Sequence, residues 1–190
     1  PGATYDVRLT GTEPGVGTWQ VVGSRGTRAL PGAAPTPNKT ATPSTIAAQL
    51  LTLVPGDCLE LADGTYPAIT LARSGSSGSP IYIRGASRAG AIISSGVACV
   101  TVGNASHVVV ENLTLQGSGV DSGTASTSAG VTFSSGLSQT NITFRSITGN
   151  GLDRGGKNYS EIYGCLVYNC IWNGNNTWDK TYTVPVGDTQ

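Results

Sequence analysis

The chain has 190 residues, enough for one domain with a real core, and only 12% of them are charged, 11 basic against 11 acidic. So sparse and balanced a charge gives no electrostatic grip on nucleic acid or an anionic membrane, and no apolar run approaches the roughly 20 residues that span a bilayer. Twenty-seven glycines, abundant serine and threonine and no methionine describe many turns and short extended segments: a mainly β chain.

The start has neither an initiator Met nor a leader-like pattern, and reads as a mature or trimmed terminus. Residues 1–30 hold two extended segments, ATYDVRLTG and GTWQVVG, separated by TEPGVG. The segment has no obvious partner strand of its own. This segment reads either as a strand donor to the exposed edge of a neighbouring copy or as packing against the side of its own domain. Residues 31–43, PGAAPTPNKTATP, carry four of the ten prolines and are expected to form an extended surface linker. A short amphipathic helix is expected over 44–54: Ser44 or Thr45 caps it, Ile46, Leu50 and Leu53 share one face, and Pro55 stops it.

Residues 55–85, PGDCLELADGTYPAITLARSGSSGSPIYIRG, then lay down three strands with too little chain between them for a crossover helix. Aligning VVVENLTLQG (108–117) with ITFRSITGNG (142–151) and EIYGCLVYNC (161–170) puts Val110, Phe144 and Tyr163 in one column and Leu113, Ile147 and Leu166 in another. The small residues Asn112, Ser146 and Cys165 fall between these columns, at a bend. Coils of about twenty residues, with one long insertion at SGVDSGTASTSAG, account for the spacing and stack their apolar columns into a continuous core. The solenoid therefore covers 44–190.

VPGDCLELADGTY, followed by SGSSGSPIYIRG and VTVGNASHVVVENLTLQG, resembles the first coils of right-handed parallel β-helix proteins of the pectate-lyase-like superfamily, closest to the chondroitinase-B and alginate-lyase type. The resemblance covers about residues 44–172. It implies a right-handed parallel β-helix with an amino-terminal capping helix, and it is unspecific for activity, because the same coils occur in lyases, epimerases, tailspikes and non-enzymatic surface proteins. A lyase of this type implies a calcium ion held by acidic and amide ligands and a Lys or Arg pair handling the proton and leaving oxygen. No residue here carries those roles over, so no catalytic or metal-ligating residue is assigned. Calcium is expected only if the lyase reading holds, and otherwise no cofactor.

Cys58, Cys99, Cys165 and Cys170 lack paired metal spacing and fit disulfides in an oxidising compartment, with Cys58–Cys99 the expected pair. Six of the ten asparagines open an N-x-S/T sequon: Asn38, Asn104, Asn112, Asn141, Asn158 and Asn175. Chance would give about two in ten at this serine and threonine content, so the excess favours a secreted or cell-surface glycoprotein. Asn112, at the bend, is the poorest acceptor.

Arg154 and Lys157, on the Gly-rich stretch NGLDRGGKNYSE, are candidate contacts for an acidic sugar or the charges of a solvated turn. Trp172 and Trp178 either stack on sugar rings or cover the open end of the last coil. Glu111 and Arg145 occupy matching outward positions, as an ion pair rather than a catalytic dyad. His107, the only histidine, lacks a nucleophile and orienting partner, and reads as a turn residue. An uncapped carboxy-terminal end would expose core and strand edges. The first functional expectation is thus an extracellular β-helix module of a surface layer or filament, associating with copies of itself. The alternatives are the amino-terminal part of a polysaccharide lyase or epimerase, or a glycan-binding module.

Overall fold

A computed structural model describes residues 4–13, 17–26, 30–118, 129–135, 137, 139–152, 154–158, 162–163 and 166–173. Cys165, Asn175 and Trp178 lie outside them. Strands β1 (Thr4–Glu13) and β2 (Gly17–Gly26) pair antiparallel over their full length, from Thr4 opposite Gly26 to Glu13 opposite Gly17. The amino-terminal segment therefore has its own partner strand, contrary to the sequence expectation: both extended segments belong to one hairpin.

The rest is a right-handed parallel β-helix. Strand β3 (Lys39–Ala41) opens it, and helix α1 (Ile46–Leu51) follows, shorter than the 44–54 expected. Ile46 and Leu53 are buried in the core and Leu50 packs against it. The first full coil is β4 (Cys58–Leu61), β5 (Gly64–Tyr66) and β6 (Ile69–Leu71). The second is β7 (Ile81–Gly85), β8 (Ala91–Ser94) and β9 (Ala98–Val102). In the third and fourth, one long bent strand replaces two: β10 (Ser106–Gln116) with β11 (Ala129–Phe133), then β12 (Gln139–Asn150) with β13 (Arg154–Asn158). The last described coil is β14 (Ile162–Tyr163), β15 (Leu166–Tyr168) and β16 (Ile171–Asn173).

Three parallel faces result. The first runs β3, β4, β7, β10, β12, β15; the second β5, β8, β10, β12, β16; the third β6, β9, β11, β13. Along each strand, successive side chains point alternately inward and outward. Leu59, Ile83, Val110 and Phe144 therefore stack in register as one inward column, and Leu71, Val102 and Phe133 as another.

The PGD and DGTY residues have structural jobs. Asp57 Oδ1 accepts from Asn38 Nδ2 at 2.8 Å, and its Oδ2 accepts from the Val54 amide at 2.9 Å, tying β3, the end of the helix and β4 together. The Tyr66 ring is buried, and its hydroxyl donates to the carbonyls of Ala41 at 2.9 Å and Ala62 at 2.7 Å.

The bend between the first two faces is made by left-handed residues: Asn112 (φ 55°), Ser146 (φ 55°) and Asn169 (φ 53°). Asn112 Nδ2 donates to the Gly85 carbonyl at 2.8 Å, and Asn169 Nδ2 donates to Ser146 Oγ at 3.0 Å. Position 85 must be glycine, because the carbonyl of Asn112 occupies the space a Cβ would need. The register of coils three and four is as expected, with Val110 opposite Phe144 and Leu113 opposite Ile147. The next coil is shifted by four residues from the sequence alignment. Phe144 meets Val167, not Tyr163, and Thr143 meets Leu166. The bend position is thus Asn169 and not Cys165, because a polar side chain tolerates the left-handed backbone and can bond the coil before it.

The expected Cys58–Cys99 disulfide is also corrected. Cys58, Cys99 and Cys170 are free thiols. Cys58 sits beside the inward Leu59 and faces outward, packed with Tyr82 and Val109, whereas Cys99 is part of the interior. No bridge can cross the sheet between those two environments.

Candidate functional site

The outward side of the first face carries two rows, two residues apart along each strand. One is Cys58, Tyr82, Val109, Thr143 and Leu166; the other is Glu60, Arg84, Glu111, Arg145 and Tyr168. With strands about 4.8 Å apart, the second row spans roughly 19 Å in a line. Its charges alternate. Arg145 Nε donates to Glu111 Oε2 at 2.5 Å, and its Nη1 is shared between Tyr168 Oη at 3.1 Å and the Pro31 carbonyl at 2.9 Å. Burial by itself would lower the Arg145 pKa, but the hydrogen bonds with Tyr168 and Glu111 outweigh it and hold the pKa above the ordinary arginine value.

Glu111 and Arg145 are therefore adjacent, and both side chains are largely buried, 11% and 13% exposed. They form a locked pair rather than a solvated one. Arg84 differs: its side chain is 29% exposed, its Nε lies 3.8 Å from Glu60 Oε2, and that Nε has no hydrogen-bond partner. The other row holds a second unsatisfied group, the Thr143 hydroxyl, in a residue with no exposed surface. Buried polar atoms are normally paired, so two unpaired ones in neighbouring rows of one face are unusual, and both are covered as the chain stands.

Residues 31–38 run across this face. Ala34 packs on Cys58, Tyr82 and Val109, and the Tyr82 hydroxyl donates to the Gly32 carbonyl at 3.5 Å. At residue 38 the chain docks firmly, with the Asn38 amide donating to the Cys58 carbonyl at 3.1 Å and the Cys58 amide to Asn38 Oδ1 at 2.9 Å. Burial raises the pKa of both the Cys58 thiol and the Tyr82 phenol.

Three of the four glycan-contact residues expected from sequence, all but Trp178, lie on described strands. Arg154 and Lys157 lie on β13, a strand of the third face opposite β11 and not a loop, while Trp172 lies on β16 of the second face opposite Gly149. Among the sequons, Asn104 is exposed in the turn between β9 and β10, and Asn38 and Asn112 have their amides engaged in the bonds above. Asn141 is half-buried at a left-handed position, and Asn158 ends β13. His107 is left-handed (φ 54°) near the start of β10, opposite Asn141 of the next coil. Sequence reasoning passed over Arg84, Tyr82, Tyr168 and Thr143. The signal was present in the alternation of IYIRG against CLEL, which puts Arg84 and Glu60 on the same side as Glu111.

Glu60 and Glu111 do not form a calcium site between them. Glu60 and Glu111 stand on either side of Arg84 and face arginines, so they offer no converging set of oxygens. No group of three or more His, Cys, Asp or Glu residues gathers among the described residues, and no helix among them is long and apolar enough to cross a membrane.

Among solved structures, a GH136 lacto-N-biosidase from Eubacterium ramulus matches at a TM-score of 0.53 with 18% identity, covering 67% of this chain and 30% of that one. A pectin methylesterase variant in complex with a hexasaccharide matches at 0.50 with 13% identity, covering 81% and 60%. An alginate lyase from Paenibacillus matches at 0.48 with 17% identity, covering 76% and 70%. The likeness is one of fold. The chain spans less than two thirds of the first two proteins. No protein-family model matches the chain, and neither does any curated protein.

Proposed function

We propose that this chain is the amino-terminal part of a polysaccharide-processing β-helix, of the lyase or epimerase class, and that its first face binds an acidic polysaccharide. The observation that carries the reading is the outward row Glu60, Arg84, Glu111, Arg145 and Tyr168. It is a straight track of charged and phenolic groups in which the Arg84 side chain is 29% exposed and its Nε has no hydrogen-bond partner. Guanidinium groups recognise carboxylates by paired, charge-assisted hydrogen bonds, and aromatic side chains offer apolar surface with a polar tip. Two proteins of the same fold, a lacto-N-biosidase and a pectin methylesterase, act on sugars by name, which agrees with this reading. A polysaccharide ligand places the module outside the cell or at its surface, where the exposed sequon at Asn104 would be available to a glycan. The sugar-acting proteins of the same fold support this reading over the self-associating filament expected first from sequence.

Electrophoresis through gels containing alginate, polygalacturonate or a neutral glucan tests the proposal. Retardation by an acidic polymer, weakened in Arg84→Ala, is the expected result. Equal mobility in all three gels would overturn it.

A further inference from the structure

The segment that crosses the first face is held in two different ways. At residue 38 it is fixed by the reciprocal bonds of Asn38 with Cys58 and by the Asn38–Asp57 contact. Between 31 and 34 it makes no ladder with the sheet. Side-chain donors from below hold it there by its carbonyl oxygens: Arg145 at Pro31 and Tyr82 at Gly32, the latter at 3.5 Å and so at the limit of a hydrogen bond. Gly32, Ala33, Pro35 and Thr36 are exposed, and only Ala34 packs into the apolar patch. Pro35 and Pro37 stiffen the stretch next to the anchor, so it would swing as a unit.

Beneath and beside the segment lie groups that a sugar chain would use. Two donors, the Arg145 guanidinium and the Tyr82 hydroxyl, are occupied by main-chain oxygens, and two others, Arg84 Nε and the Thr143 hydroxyl, are occupied by nothing. We propose that residues 31–34 form a displaceable strap whose carbonyl oxygens hold the place of sugar oxygens, and that an acidic oligosaccharide binds by lifting it off Tyr82 and Arg145. This rests on the reading of the first face as a glycan site. It adds that the site is closed at rest and opens about Asn38, and that occupancy is a competition between chain and ligand.

Cys58 reports the strap, because it is fully buried on the outer side in the patch that Ala34 packs against, while Cys99 is fully buried in the interior. In the unaltered protein, thiol labelling followed by peptide mass spectrometry should modify Cys58 roughly tenfold faster than Cys99, since local opening costs less than global unfolding. Alginate or galacturonate oligosaccharides, which exchange with the strap over this patch, should change the Cys58 rate and leave that of Cys99 unchanged. In Ala34→Cys, oxidation should pin the strap to Cys58, abolish retardation in the acidic gel, and lose that effect on reduction.

Labelling of Cys58 and Cys99 at one common rate overturns the strap, whether or not glycan binds and whether or not the engineered bridge forms. An oxidised, bridged protein that binds as well as the reduced one overturns it too. Fast Cys58 labelling that no acidic sugar alters, with no retardation in either redox state, refutes the glycan as the strap's competitor and the reading of the face together, while leaving the opening established.

Discussion

Asn112 does two things that no single replacement preserves. Its backbone is left-handed, and its side-chain amide satisfies the Gly85 carbonyl across the bend. Asn112→Gly keeps the conformation and loses the bond, at a cost of about 1 kcal/mol; Asn112→Ala loses both, at about 2 kcal/mol. Urea midpoints at an unchanged slope would show that order, and an equal effect of the two replacements would refute it. The buried thiols supply a pH dependence. Burial pushes Cys99 up to about 11 from 9.0, and Cys58, Cys170, Tyr66 and Tyr82 shift in the same direction. The unfolded chain releases the Cys99 proton first, so this contribution is complete below pH 9 and disappears as the pH rises through about 11, amounting to roughly 3 kcal/mol. Thermal midpoints should fall across that window, and less steeply in Cys99→Ala. At this scale the sequence was legible where a residue's neighbours fixed its side of the strand, as with Val110 against Phe144. It misled where chemistry alone was weighed, since an even number of cysteines suggested a bridge between Cys58 and Cys99, which lie on opposite sides of the sheet wall.

Elements follow the same division. The strands of the first coils were readable because PGD and DGTY fix the turns locally, through Asp57 and Tyr66. The last coil slipped by four residues because EIYGCLVYNC contains two places where a small or polar residue follows an apolar pair. Only the bond from Asn169 to Ser146 distinguishes them. The hairpin was hidden for another reason: its strands face each other across TEPGVG, which lacks the two-residue glycine turn that announces a hairpin. Its ladder runs only between β1 and β2. A chain beginning at Leu30 is accordingly expected to keep its β-sheet circular dichroism and a melting temperature within about 3 °C of the parent. A collapse of the melting transition would show that the hairpin is needed by the coils.

The described coils form a stack in which most touch only the one before and the one after, so stability is distributed along the axis. The first coil is covered by Ile46 and Leu53, whereas Val167 and Cys170 at the other end of the described stack are only partly buried and Ile171 is 54% exposed. Hydrogen exchange should therefore be slowest in β7 and β10 and fastest in β15 and β16. Uniform protection across all coils would mean that the stack opens as one unit.

The alternating row on the first face also bears on how the coils find their order. In the native stack Arg84 lies between Glu60 and Glu111, and Glu111 between Arg84 and Arg145, so every neighbour is of opposite sign. A nascent solenoid that left out one coil would set Glu60 against Glu111, or Arg84 against Arg145, and like charges would face each other at strand spacing. The apolar columns inside could accept that mistake, since Leu59, Ile83 and Val110 are nearly interchangeable. The charges outside resist it, by up to about 1 kcal/mol for each like pair, and so the row favours the native order where the core alone would leave it ambiguous.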